Sequence, residues 1–129
     1  MNKILVEVSV GELLDKISIL EIKREKISNT ESLKFIEKEY LVLNEQLNEN
    51  IKKDEQLDEL FESLKKINTT LWKNEDEKRL YEKNSDFGEK FIKISRDIHF
   101  LNDNRSNIKL KINKHTGSQI REIKQYTKY

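Results

Sequence analysis

The sequence contains no proline and only three glycines, Gly11, Gly88 and Gly117. These are the two residues that most readily end a helix, proline by removing an amide donor and glycine by its backbone entropy. A chain so poor in both can run in long helices, and its apolar residues recur at three- and four-residue steps. Leu33, Ile36, Tyr40, Leu43 and Leu47 make one heptad-spaced stripe. In chain order it is the second of four; Leu57, Leu60, Phe61, Leu64, Ile67 and Leu71 make the third, and Phe91, Ile94, Ile98, Leu101, Ile108 and Ile112 the fourth. An earlier series, Val10, Leu13, Leu14, Ile17, Leu20 and Ile27, carries Ile19 and Ile22 on its far side. That helix is therefore expected to be contacted from two directions.

Polar residues mark the boundaries. Ser9 and Glu12 read as a capping box, in which the Ser9 hydroxyl accepts from Glu12 and the Glu12 carboxylate reaches back. The first helix should run from Val10 to about Ile27. Ser28-Asn29-Thr30 supplies a turn and a cap for the second. The second stripe then meets Asn50 and Asp54, which favours a hairpin with Asp54 capping a third helix; one long helix through this stretch is the alternative. The third helix should reach about Lys83. Asn84 to Gly88 breaks the pattern, with Ser85 or Asp86 as the next cap. Gly117 is expected to stop the fourth helix. Ile120, Ile123 and Tyr126 predict a final helical turn that docks back. Period-2 alternation is confined to Ile4–Val10, a short strand or an extended arm. The expected fold is all-α, a single domain over residues 1–129. It is an antiparallel bundle of four main helices with a short N-terminal extended segment and a docked C-terminal tail.

Composition narrows the function classes. Cysteine is absent, which excludes disulfides and thiolate metal sites. No apolar run approaches the length of a membrane span or a signal peptide, so a cytoplasmic protein without membrane partners is expected. The net charge of +1 hides an asymmetry: from Asn104 onward seven basic residues face Glu122 alone, +6 there against −5 elsewhere. Few aromatics interleave that basic end, so nucleic-acid binding is not expected. No Gly-rich phosphate loop and no Ser-His-Asp arrangement is present, and catalytic residues cannot be assigned. Whether the protein is an enzyme stays open.

The most informative signal is charge where apolar residues belong. Glu21 and Arg24 fall inside the first stripe. Arg105 interrupts the fourth, with Asn102 beside it. The third continues past Leu71 and Trp72 to Glu75 and Lys78, with Arg79 and Glu82 adjacent. An ionised group buried alone costs several kcal/mol, so these must pair or line a wet cleft. A salt-bridge network and a polar pocket both fit. Carboxylates on different helices could instead hold a divalent metal, with Glu75, Asp76, Glu82 and Asp103 as ligands. No other cofactor is expected.

Several blocks resemble a family of small bacterial proteins known only as a domain of unknown function. Val8 to Lys23 is similar to its opening. Asn68, Leu71-Trp72, Glu75-Asp76, Arg79 and Glu82 resemble its middle. Arg96, Asn102-Asp103, Arg105, Ile108-Lys109 and Ile112-Asn113 resemble its third block, and Gly117-Ser118, Glu122, Lys124 and Tyr126 its last. Asn74, Lys78 and His99 depart from the usual residues. The resemblance implies a cytoplasmic helper found beside glycosyltransferases and polysaccharide enzymes. Because its blocks contain the polar seam residues, the pocket becomes the favoured reading. Glu21, Arg24, Trp72, Glu75, Arg79, Glu82, Asn102, Arg105, Lys124 and Tyr126 are the expected ligand-binding residues. The ligand would be a phosphorylated sugar or a nucleotide, and a partner a glycosyltransferase. Two alternatives remain: a Mg²⁺-dependent nucleotide or sugar-nucleotide phosphohydrolase, and a homo-oligomeric structural or scaffold protein, such as a homodimer, motivated by Ile19, Ile22 and the unpaired N-terminal segment.

Overall fold

The structure, a computed structural model, describes residues 2–120, 123, 124, 127 and 128. Four helices carry it: α1 (Val10–Lys26), α2 (Thr30–Asn50), α3 (Glu55–Lys83) and α4 (Glu89–Thr116). No strand occurs among the described residues, and the architecture is an all-α bundle.

Local chemistry explains three of the four helix starts. Ser9, Asn29 and Asp54 each accept a hydrogen bond from the amide three residues on, Glu12, Ser32 and Leu57 respectively. The Ser9 half of the capping box is thus present. The Glu12 half is not, because its carboxylate takes Lys109 of α4 at 2.6 Å instead. Residues 51–54 separate α2 from α3, so two helices form in place of one long helix, but their backbones do not pack against each other as a hairpin. Neither Ser85 nor Asp86 caps α4. Ser85 takes a left-handed φ of 51° in the turn that stops α3, and Gly88 is the cap, with no side-chain bond. Gly117 ends α4 in the left-handed conformation expected of it, at φ 67°.

Asp54 ties two helix ends together. Its carboxylate caps α3 and faces His115 Nε2, in the last turn of α4, at 2.8–2.9 Å. The Leu57 amide first, and His115 after it, hold the Asp54 carboxyl below its ordinary value. Asp54→Ala is expected to leave the Leu57 amide without its cap, and thermal unfolding should show a drop of a few degrees.

Helix α1 is central. It lies against each of the other three, α3 packs along α4, and the α2 backbone approaches α1 alone. The core gathers Leu14, Ile17, Leu47, Leu57, Leu64 and Ile112, with Tyr40, Leu43, Phe61 and Ile108 packed around it. Ile22, on the far side of α1, is 1% exposed, so this helix is covered from two directions as its sequence implies. Gly11 sets how near α1 and α4 come. A Cβ there would lie 2.6 Å from the Lys109 carbonyl oxygen.

The chain before α1 is an extended arm with Ile4 and Leu5 almost fully exposed. After Gly117 the described residues contain no helix, so the expected final turn is not seen at Ile120 and Ile123, which are exposed; Tyr126 lies outside the described residues. What docks is Ser118. Its hydroxyl accepts from the Val10 amide at 3.3 Å and donates to the Ile120 carbonyl at 2.9 Å. No described helix is long and apolar enough to cross a membrane.

Candidate functional site

Asp15 is the centre of the polar structure. It follows Leu14 on α1, and only 2% of it is accessible. Arg105 of α4 holds it with both arms of its fork: Nε donates to Oδ1 at 2.9 Å and Nη2 to Oδ2. Asn68 of α3 donates to the same Oδ1 at 2.9 Å and to the Ser18 hydroxyl at 2.8 Å. Ser18 in turn donates to the Asp15 carbonyl. Lys109 stands 3.7 Å from Oδ2. One buried carboxylate thereby joins α1, α3 and α4. Burial alone would raise the Asp15 carboxyl. The Arg105 and Asn68 hydrogen bonds, with the charges of Arg105 and Lys109, outweigh it and hold the group below its ordinary value.

A second buried contact lies one turn away. The Gly11 amide donates to Asn113 Oδ1 at 2.7 Å, and Asn113 is 2% exposed. The first amides of α1 are thus taken by Ser118, Asn113 and Ser9. This helix N-terminus is occupied by the protein itself and is not an open anion site.

Above Asp15 the surface is hollow. Two adjoining cavities of about 270 and 210 Å³ lie between the start of α1, the middle of α4 and the C-terminal segment. Ser106, Lys109 and Lys124 line both. Glu12, Asp15, Asn102 and Arg105 complete one, and Ser9, Asp103, Asn107, Leu110 and Asn113 the other. Three cations face three carboxylates there. The cleft does not select by net charge; it offers a dense pattern of donors and acceptors.

The expected site residues divide among three regions. Asn102, Arg105 and Lys124 line the cleft. Glu21 and Arg24 lie nearer the other end of α1. Glu21 accepts from Lys65 at 3.0 Å and from the Tyr40 hydroxyl at 3.3 Å, while Arg24 pairs with Glu37 and covers the Tyr40 ring at 4.3 Å. Trp72, Glu75, Arg79 and Glu82 lie further along α3, where Arg79 and Glu82 are exposed and Trp72 and Glu75 half-buried. Among the described residues no ion pair links these α3 groups to Arg105, whose carboxylate is Asp15. Tyr126 falls outside the described residues.

Asp15, Ser18, Asn68, Lys109 and Asn113 were not among the expected site residues. A signal was present: Asp15, Ser18 and Ile22 share one face of α1, so whatever covers Ile22 also covers them. As for metal, no group of three or more His, Asp or Glu among the described residues is placed to hold an ion. Glu75, Asp76, Glu82 and Asp103 are not brought together in such a group.

A family profile, described as a family of unknown function (DUF6165), matches residues 4–129. No curated protein and no solved structure matches the chain.

Proposed function

We propose, for a chain that belongs to the DUF6165 family, a binding or accessory role in which the cleft over Asp15 takes a small, hydroxyl-rich phosphorylated ligand. A sugar phosphate or sugar nucleotide has the matching chemistry. Phosphate oxygens suit the cations Lys109, Lys124 and Arg105, and sugar hydroxyls suit Asn102, Ser106, Asn107 and the carboxylates. The observation that carries this reading is the way Asp15 seats Arg105 from below, at 2.9 Å from Nε. A guanidinium fixed before the ligand arrives loses little freedom on binding, which favours affinity. Accessory work beside glycosyltransferases in polysaccharide synthesis, in the cytoplasm, is the setting we propose. The phosphohydrolase alternative lacks a metal-holding group of carboxylates among the described residues.

Titration calorimetry with inorganic phosphate, glucose 1-phosphate and UDP-glucose tests the reading. At least one phosphorylated sugar should bind more tightly than phosphate. Lys124 is exposed, so Lys124→Ala should leave thermal stability unchanged while weakening binding about tenfold, the loss expected of one charged hydrogen bond. Absence of heat across the panel would sink the proposal.

A further inference from the structure

A second hollow lies on the opposite flank of α1. Helices α2 and α3 follow one another through a short connection, yet their backbones do not approach; α1 alone bridges them. The space left between them is a cavity of about 170 Å³. Its floor is the core itself: Leu14, Leu47 and Leu57, each no more than 5% exposed, line it together with the half-buried Phe61. Protein cores are ordinarily packed to crystal density, and a cavity of roughly 150 Å³ lined by aliphatic side chains is large enough to hold benzene.

The rim differs from the floor. Glu21 and Asp58 bring two carboxylates to it, against Lys53 alone. Glu21 is partly satisfied by Lys65 at 3.0 Å and by a long hydrogen bond from Tyr40. The Asp58 carboxylate makes no hydrogen bond or ion pair among the described residues. An aliphatic floor beside the Asp58 carboxylate suits one kind of small molecule. We infer that this cavity is a binding site for a small organic cation built on a single apolar ring, the ring against the leucines and the ammonium between Asp58 and Glu21. The site is separate from the cleft over Asp15 and does not depend on the function proposed for it.

Three compounds built on one benzene ring test the assignment, each titrated into the full chain and followed by methyl NMR: benzylamine, toluene and benzoate. Benzylamine should shift the Leu47 and Leu57 methyls saturably, toluene should do so more weakly, and benzoate should leave them in place. Asp58 is exposed, so Asp58→Asn should fold normally. It should weaken benzylamine at least threefold and leave toluene unchanged. Leu47→Phe, which fills the hollow, should abolish both; Lys124→Ala, in the other cleft, should affect neither. The inference is overturned if no compound moves those leucines saturably, if benzoate binds as well as benzylamine, or if Asp58→Asn has no effect.

Discussion

Replacing Arg105 by alanine is expected to lower folding stability by about 3–5 kcal/mol, the cost of leaving a buried carboxylate without its cation. Against a total of roughly 5–15 kcal/mol for an ordinary protein, that approaches the threshold of folding. Asp15 is 2% exposed, so water cannot replace the lost fork. Asn68 would remain at 2.9 Å, and Lys109 is already engaged with Glu12 at 2.6 Å. Urea denaturation measures the loss. Asp15→Asn combined with Arg105→Ala should be more stable than Arg105→Ala alone, because the uncompensated charge is then gone. Arg105→Lys should fall between, since an ammonium keeps the charge but cannot reproduce two parallel hydrogen bonds. A loss below 1 kcal/mol for Arg105→Ala would show that the pair does not hold the helices together.

Acid should expose the same interaction. The Asp15 carboxyl is held below its unfolded value of 3.8. A carboxyl depressed in the folded state stabilises fully above its unfolded pKa and loses that contribution as pH falls through the folded one. This part of the stability is therefore constant at neutral pH and disappears on acidification below about 3.8. Asp15→Asn should remove that acid-sensitive component from the denaturation profile.

Gly11→Ala is expected to cost about 3 kcal/mol, although alanine ordinarily improves a helix by roughly 1 kcal/mol over glycine. The new Cβ would stand 2.6 Å from the Lys109 carbonyl oxygen and 3.0 Å from Asn113 Oδ1. The first is backbone and cannot rotate aside, so α1 and α4 must separate. Separation strands Asn113, which is 2% exposed and bonded to the Gly11 amide at 2.7 Å. It also disturbs the Lys109–Glu12 pair at the cleft wall. Gly88→Ala is the control. Its Cβ would meet only Asp86 Oδ1 at 3.4 Å, an ordinary contact, and stability should change by less than about 1 kcal/mol. Equal effects of the two substitutions would remove the close approach as the reason for glycine at position 11.

How much of this was legible beforehand follows from distance along the chain. Ser9, Asn29 and Asp54 could be read as caps because a cap and its amide lie three residues apart. The apolar stripes were legible for the same reason, since their period belongs to one helix. The Glu12 carboxylate was misread because its partner, Lys109, lies on another helix. Ser85 was misread because one residue cannot both turn the chain with φ 51° and cap the helix that follows.

The site shows the same division more sharply. Arg105 and Asn102 could be found as polar residues in an apolar seam. Their surroundings could not, because the carboxylate that meets Arg105 comes from ninety residues away. The sequence alone determined four helices, the caps of the first three and the presence of charge on inward faces, because periodicity and capping are short-range. Only the tertiary structure decided which charges meet. Packing α1 beneath three neighbours buries Asp15 and leaves Arg79 and Glu82 in water, and the rotation of a helix about its axis is set by the helices that surround it.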